Sequence, residues 1–340
     1  MTVNKISIII PVRNGADTIY DCLTSIYENI SDICAEVIVV DDGSDDNTSE
    51  IIHNFPCNYL RIKKSGAAAA RNTGISRATG DILIFFDADV ILKKDTLERF
   101  IYHLNNDSDA FIIQGRWDVV SPVNTFCAEF FLLNYYYYFN NILDSQKRFS
   151  VANLETGCLA VRREVFGTFP EWFNENYKYA GGEEHEFGLR LLTEYKIFYY
   201  NDIFVKHKFG SVARTLKKIF FRTINFSMLI FNSENKKKFA IHNIFVPSKD
   251  KFNLFLLLIF ISNFLLLFVT TAWSLKILLC IIIFYIINIT SYFRYLLKNK
   301  NIIFALKGVC TDLLLIFTKF IALTISITFY YLLSKKDYKI

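Results

Sequence analysis

The hydrophobic pattern divides this chain of 340 residues into an alternating part and an almost uniformly apolar end. In the first hundred residues, short apolar runs such as KISIIIP, EVIVV and DILIFF alternate with segments whose apolar residues recur at helical spacing. Continuous apolar strands joined by helices are typical of a parallel sheet that is covered on both faces. The sequence therefore predicts an α/β fold for this region.

The C-terminal quarter has the pattern of membrane helices. Residues 254–273 contain no charged residue and are long enough to span a bilayer as one helix. Residues 277–293 form a second candidate, and residues 313–333, which contain Lys319, form a third. An ionisable group at that depth is costly unless it is paired or faces protein, so we expect the third helix to pack against the others. We predict a transmembrane domain of about three helices within residues 252–335.

A basic and aromatic region lies between these two parts. Residues 211–251 mix lysine and arginine with phenylalanine, which is typical of amphipathic helices that lie on a membrane surface or pack on the preceding domain. Lysines are concentrated just before the first predicted span, and the positive-inside rule then places residues 1–250 in the cytoplasm. The N-terminal run MTVNKISIIIPV is too short for a signal peptide. We therefore expect a multi-pass protein of the bacterial inner membrane with a cytoplasmic catalytic domain.

Composition excludes several other classes of function. The net charge of +5 is modest, and the sequence has no zinc finger, RNA-binding signature or broad basic stripe, so nucleic acid is not an expected partner. The seven cysteines are widely spaced without a C-x-x-C pair, which argues against a disulfide framework or a zinc site and suits a reducing cytoplasm. Neither a G-x-G-x-x-G nor a P-loop pattern is present, which disfavours a dinucleotide cofactor.

Polar residues gather where the predicted strands end. The carboxyl ends of parallel strands form the ligand-binding edge of such a sheet. The polar residues that follow the strands are Arg13, Asn14, Asp41, Asp42, Asp87 and Asp89. Two carboxylates at positions i and i+2 can hold Mg²⁺ or Mn²⁺, ions that keep coordination sites open for phosphates. Asp87 and Asp89 therefore predict a divalent metal site, although a simple polar turn has the same pattern.

Four motifs in a fixed order give a more specific indication. SIIIPVRNG, VIVVDDGSDDNT, GAAAARNTGISRATGDILIFFDAD and GGEEHEFGLRL follow one another within roughly residues 5–210. Together they resemble the family-2 glycosyltransferases, which have the Rossmann-like GT-A fold, and in particular the membrane-tethered members with C-terminal spans. The resemblance implies a GT-A catalytic domain at residues 1–210, interface helices at 211–251 and transmembrane helices at 252–335.

The resemblance also implies roles for individual residues. The implied nucleotide-sugar-binding residues are Pro11, Arg13, Asn14, Asp41, Asp42, Arg71, Asp87 and Ala88. The implied ligands of the Mg²⁺ or Mn²⁺ ion are Asp87, Asp89 and His207. Arg71 falls near the expected diphosphate, although it could instead be a structural ion-pair partner of Asp41 or Asp87.

The catalytic base and the acceptor pocket follow from the last motifs. Glu184 falls on the general base, where the family usually carries aspartate, so Glu183 or Glu186 could take this role instead. The implied acceptor-pocket residues are Gly157, Glu183 and Glu186, and the neighbouring Cys158 differs from the polar or small residue of many relatives.

The resemblance implies an inverting transfer from a nucleotide-diphosphate sugar, with UDP as the family-level expectation, to a membrane-associated lipid or glycan. The alternative is a catalytically weak GT-A module that binds a nucleotide sugar within a membrane glycan assembly. A nucleotidyltransferase would share the sheet, but the late acidic cluster with Arg190 and His207 argues against it.

Overall fold

The computed structural model of the chain describes residues 5–30, 33–143, 148–151, 153–177, 181–231 and 289–333. The strands among them are β1 (Ile6–Val12), β2 (Ala35–Asp41), β3 (Asn58–Arg61), β4 (Ile82–Phe86), β5 (Val90–Leu92), β6 (Ile112–Trp117), β7 (Arg148–Val151), β8 (Cys158–Arg162) and β9 (Ile197–His207). The helices are α1 (Ile19–Asn29), α2 (Thr48–Ile52), α3 (Ala67–Arg77), α4 (Thr96–Asn106), α5 (Phe126–Leu143), α6 (Arg163–Thr168), α7 (Glu183–Leu191), α8 (Val212–Phe231) and α9 (Ile302–Leu333). A further helical segment at residues 289–299 precedes α9.

The strands form one mixed sheet in the order β3-β2-β1-β4-β8-β6-β9-β5, with β7 paired to β9. Strands β3, β2, β1 and β4 are parallel, as the alternating pattern predicts. Strand β8 then runs antiparallel to both β4 and β6, so the second half of the sheet is mixed. This arrangement is a GT-A-like α/β fold.

Two hydrophobic cores cover the two faces of the sheet. Side chains alternate along a strand, so in β1 Ile8 packs with α1 and α4 on one face while Ile9 packs with α3, α6 and α7 on the other. Both residues are fully buried. Burial on both faces explains why the strands read as continuous apolar runs instead of alternating ones.

The C-terminal helices pack on the domain through an aromatic cluster. Phe130 of α5 contacts Tyr292 with ring centroids 6.5 Å apart, and Phe126 contacts Phe304 of α9 at 5.0 Å. Helix α8 packs along α9. The aromatic run at the start of α5 therefore lies against the C-terminal helices as well as against the sheet.

Helix α9 differs from the third predicted span in its length. It begins at Ile302, whereas the sequence predicts a start at residue 313. The stretch Ile302–Phe329 is long and apolar enough to cross a membrane, and an 18-residue window within it has a mean hydropathy of 1.8 and is 28% buried. Of the other predicted spans, 254–273 lies outside the described residues, and only the end of 277–293 is described, as helix that continues to residue 299.

Candidate active site

The predicted polar residues meet at one edge of the sheet. Strand β1 lies between β2 and β4, and its last residue, Val12, pairs in register with Asp41. Asp87 follows the last residue of β4 directly. The chain proceeds from β1 to β2 and β3 on one side and returns with β4 on the other, so the strand order switches here. Such a switch point opens a crevice for ligands in an open α/β sheet.

Asp41 and Asp42 form what we call the first acidic cluster. Asp41 is fully buried, and its carboxylate accepts hydrogen bonds from the backbone N–H of Ser44 and the hydroxyl of Tyr59, both at 2.8 Å. Asp42 accepts from the backbone N–H of Ser65 at 2.5 Å and of Gly66 at 3.0 Å. Neutral groups from β3 and from the loops after β2 and β3 thus hold both carboxylates in place.

The loop after β1 is tied to the loop after β2. Asn14 has a positive φ of 50°, its N–H donates to the hydroxyl of Ser44 at 2.9 Å, and its side-chain oxygen accepts from the N–H of Asp45 at 2.8 Å. Pro11 is half-buried within β1, and Arg13 is exposed at the tip. The structure therefore brings Pro11, Arg13 and Asn14 next to the first acidic cluster.

Asp87, Asp89, Glu183 and Glu184 form what we call the second acidic cluster. Arg71 of α3, only 3% exposed, donates to Glu183 at 2.9 Å, to Glu184 at 3.1 Å and to Asp87 at 3.3 Å. One guanidinium therefore binds three carboxylates. Of the two ion-pair partners that the sequence left open for Arg71, it binds Asp87 in the structure.

The carboxylates of this cluster have different proton affinities. Burial raises the pKa of Asp87, and burial together with the Glu184 charge raises that of Glu183. Burial acts to raise the pKa of Glu184 as well, but the guanidinium groups of Arg71 and Arg222 and the hydroxyl of Thr156 outweigh it and lower the pKa. Neighbouring carboxyl groups whose pKa values are pushed apart are the usual arrangement of acid–base sites.

Helix α8 contributes residues that sequence reasoning missed. Arg222 donates to Glu184 Oε2 at 3.4 Å, and Lys218 lies 3.7 Å from Asp89 Oδ2. The Thr156 hydroxyl donates to Glu184 Oε1. Burial also raises the pKa of the adjacent Glu155 to about 6, although Arg222 acts to lower it. The spacing i, i+4 of Lys218 and Arg222 was a visible signal, but a solvated helix face has the same spacing.

The positions of Asp89 and His207 suit two protein ligands of one metal ion. His207 ends β9, and its Nε2 atom lies 3.3 Å from Asp89 Oδ1. Trp117 and Phe209 pack on the imidazole with ring centroids at 4.9 and 4.4 Å. Asp89 Oδ1 and His207 Nδ1 are buried without a hydrogen-bond partner among the described residues. A divalent cation would satisfy the carboxylate oxygen, which otherwise carries a desolvation cost.

The predicted third ligand is placed differently. Asp87 turns to Arg71 and not to His207, and no group of three or more metal-ligating side chains occurs among the described residues. Ala88, between the two aspartates, is half-buried. The structure thus separates the two carboxylates of the D-x-D motif into one that faces Arg71 and one that faces His207.

The remaining predicted residues fall into two groups. Gly157 lies against the second acidic cluster, because a Cβ there would be 3.2 Å from Asp87 Oδ2. Glu186 instead pairs with Arg190 at 2.7 Å, and Arg190 also donates to the carbonyl of Glu171 at 2.6 Å. Cys158 is buried in the core under the sheet. The structure therefore does not bring Glu186 together with the other predicted acceptor-pocket residues.

Comparison with known proteins identifies the family. Residues 7–169 match the family model described as Glycosyl transferase family 2. Glycosyltransferase AglE of Haloferax volcanii is 30% identical over 230 residues, which cover 64% of this chain and 72% of AglE. Glycosyltransferase GlyG of Streptococcus pneumoniae is 34% identical over 122 residues, which cover 33% of this chain and 38% of GlyG.

Solved structures give a weaker likeness. S. aureus TarS 1-349, solved in complex with UDP, is 18% identical, with 69% of this chain and 68% of that chain covered at a TM-score of 0.48. The family assignment therefore rests on sequence, through the family model and a relative matched over more than two thirds of its length. On these grounds the chain is a glycosyltransferase and belongs to glycosyl transferase family 2.

Proposed function

We propose that this glycosyltransferase moves a sugar, with inversion, from a nucleotide-diphosphate sugar to a membrane-associated lipid or glycan. The observation that carries this proposal is the second acidic cluster, in which Glu184 is buried yet has a lowered pKa and stands beside Arg71 and Asp87. A carboxylate that remains ionised at neutral pH can accept the proton of an attacking hydroxyl. Ligands of open α/β sheets bind in the crevice at the switch in strand order, which supports our placing the donor in that crevice.

In the proposed reaction, Glu184 accepts the proton of the acceptor hydroxyl while the hydroxyl oxygen forms its bond to the anomeric carbon. The bond between that carbon and the diphosphate oxygen breaks, and the nucleoside diphosphate leaves with the electron pair. Glu184 and not Glu186 takes the role of base, because the Glu186 carboxylate is paired with Arg190 on the same helix. The buried guanidinium of Arg71 binds both Glu184 and Asp87 and so holds the two carboxylates in fixed positions.

A divalent cation, Mg²⁺ or Mn²⁺, is part of the proposal. Asp89 and His207 would hold it, supported by the unsatisfied Asp89 Oδ1 atom next to the imidazole. When bound, the ion would neutralise charge that develops on the departing diphosphate. Asp87 would be a ligand only if it left Arg71, so we assign the metal role first to Asp89 and His207.

The donor would lie between the two acidic clusters. We assign the nucleotide, with UDP as the expected one, to the residues at the first cluster and the β1 loop: Pro11, Arg13, Asn14, Asp41 and Asp42. Support comes from the hydrogen bonds that tie this loop to the loop after β2. Ala88 and Asp87 would continue the site toward the sugar, and Gly157 and Glu183 toward the acceptor.

We also propose that the chain is a multi-pass protein of the inner membrane with about three spans and a cytoplasmic catalytic domain. This places a GT-A domain at residues 1–210, interface helices at 211–251 and membrane helices at 252–335. The length and composition of α9 support an anchor at the C-terminal end. A reporter that fluoresces only in the cytoplasm, fused after residue 340, should stay dark, and a bright fusion would mean an even number of crossings.

The donor proposal is tested by a thermal-shift panel of nucleoside diphosphates, with and without Mn²⁺. A ligand that binds only the folded state must raise the melting temperature. We expect one nucleotide, UDP first, to raise the melting temperature more in the presence of Mn²⁺. If no nucleotide raises it, the donor proposal is wrong. Turnover of radiolabelled nucleotide sugar in membranes then separates the enzyme from a catalytically weak binding module.

A further inference from the structure

Two cations of α8 cover the two carboxylates that the proposed reaction needs most. Arg222 lies on the proposed base Glu184, and Lys218 lies on the proposed metal ligand Asp89. Both are long contacts, at 3.4 and 3.7 Å, and the two cationic side chains are 52% and 62% exposed. The two carboxylates are only 5% and 23% exposed, so each pair is half-buried, and the exposed cation is the partner that can turn toward an anion entering from solvent.

Arg71 contrasts with this pair. It contacts the same cluster at 2.9 to 3.3 Å, and its side chain is 3% exposed. Its guanidinium occupies Glu184 Oε1 together with the hydroxyl of Thr156, while Oε2 accepts from Arg222. A general base must present a lone pair to the hydroxyl that it deprotonates. Because Arg71 and Thr156 are held in the interior, Oε2 is the atom that can be freed, and Arg222 is the group that must move.

The backbone before α7 is shaped to receive Arg222. A Cβ at Gly181 would lie 2.4 Å from Arg222 Cγ, and one at Gly182 would lie 2.9 Å from Asn225 Cβ. Gly181 also has a φ of +107°, which disfavours other residues. The two glycines therefore allow α8 to approach the start of α7, where Glu183 and Glu184 stand.

Another face of α8 is seated on the membrane-capable helix. Leu216 and Ile219 pack on the aromatic cluster that contains Phe304 and Leu315 of α9. Helix α8 thus runs between α9 and the second acidic cluster, and it presents Lys218 and Arg222 to that cluster. A molecule that reaches the site from a membrane around α9 meets this pair next to the base.

We propose that Lys218 and Arg222 bind a phosphate group of the acceptor, and that this phosphate draws both cations away from Asp89 and Glu184. The inference rests on the proposed function, since it identifies the acceptor as a membrane lipid that carries a phosphate group in addition to the hydroxyl that attacks the sugar. Without the two cations, an entering phosphate would face the four carboxylates of the second acidic cluster, three of which are paired with Arg71. With them, acceptor binding frees Oε2 of Glu184, so the base becomes available when its substrate is in place.

The test measures binding of farnesyl phosphate to the full chain in detergent by isothermal titration calorimetry. Farnesol, which has the same chain and no phosphate, is the control ligand. The double variant Lys218→Gln/Arg222→Gln should bind farnesyl phosphate at least tenfold more weakly than the wild type, on the scale of lost charge-assisted hydrogen bonds. Lys217→Gln, about 100° round the same helix, is the matched control and should bind like the wild type.

A conservative variant guards against a folding defect. Arg222→Lys keeps the charge, and it should retain most of the affinity for farnesyl phosphate that Arg222→Gln loses. Farnesol should bind all variants equally. If the double variant binds farnesyl phosphate as tightly as the wild type, or if Arg222→Lys is as weak as Arg222→Gln, the proposal is overturned.

A second titration, with UDP and Mn²⁺, separates the acceptor phosphate from the donor diphosphate. The double variant should keep its affinity for UDP. A loss of UDP affinity with farnesyl phosphate binding unchanged would assign the pair to the donor and overturn the proposal. Wild-type chain that binds farnesyl phosphate but no nucleoside diphosphate would instead refute the proposed function and leave the phosphate-binding pair standing.

Discussion

The two acidic clusters stand at the same edge of one sheet, yet different groups hold them. The first, Asp41 and Asp42, accepts hydrogen bonds mainly from backbone N–H groups and a tyrosine hydroxyl no more than 24 residues away in sequence. The second is held by Arg71, which lies 112 residues before Glu183. Local neutral partners fix a carboxylate in place, whereas a shared buried cation leaves a cluster whose charge can be redistributed.

This difference identifies the reactive region better than residue type does. Both clusters contain buried acids, and each includes an aspartate at the end of an apolar strand. Only in the second does burial combine with several neighbouring charges, which raises the pKa of Asp87 and Glu183 and lowers that of Glu184. Perturbed pKa values of this kind concentrate at functional sites. We therefore expect substitutions in the second cluster to affect turnover.

The largest expected effect tests whether the second cluster holds a metal. Because Asp89 and His207 are the fitting ligands, EDTA should abolish sugar transfer, and Mn²⁺ or Mg²⁺ should restore it. Asp89→Ala should lose nearly all activity while its melting temperature without metal stays near that of the wild type. Full activity in chelator would refute the metal role and remove one contrast between the clusters.

The next effect concerns the base. Glu184→Gln should lower kcat by roughly 10²–10⁴-fold, the usual scale for a lost general base, with donor affinity kept. The matched control is Glu186→Gln, two residues along the same helix, whose carboxylate pairs with Arg190. Steady-state kinetics of the two variants decide the assignment. An inactive Glu186→Gln beside an active Glu184→Gln would show that the base is misassigned.

A pair of arginine substitutions compares the stability of the two clusters directly. Arg71→Met would leave buried carboxylates without their cation, so unfolding in urea should show a loss of about 3–5 kcal/mol. Arg61→Met removes the cation beside Asp41. The Arg61 side chain is 51% exposed, and its guanidinium lies 3.6 Å from the Asp41 carboxylate, so the expected loss of stability is about 0–1 kcal/mol. Equal losses would mean that the two clusters are held in the same way.

The smallest effect is a pH dependence of stability that arises from His185 in α7. Burial lowers the pKa of His185 to about 4. Below pH 6.5 the unfolded chain therefore binds a proton that the folded chain refuses until about pH 4, so stability falls as pH falls through this window. Between pH 7 and pH 5 the loss should be about 2 kcal/mol.

Urea titrations at each pH check this dependence. His185→Gln should lose this part of the pH dependence, because glutamine does not titrate. His53→Gln, at an exposed histidine near the first cluster, is the matched control. A stability curve that keeps its full slope in His185→Gln would contradict the assignment.

The sequence by itself determined the strands and helices of the first hundred residues and the edge at which the chemistry stands. Apolar periodicity is a local property, and parallel strands end at a common edge, so Asp41, Asp42 and Asp87 were predictable there. The order of the four motifs predicted the family, which the comparisons confirm. These features follow from short stretches of chain that carry their own signal.

Only the tertiary structure decided which charges meet. The partners of Arg71 and Arg222 lie 112 and 38 residues away from them, and no local pattern encodes such pairs. The rotation of α7 turns Glu183 and Glu184 inward and leaves Glu186 to Arg190, because packing of Phe187 and Leu191 on the sheet sets the phase of the helix. Which side chains pair across the fold depends on how the helices and strands pack, and that packing is decided only when the core assembles.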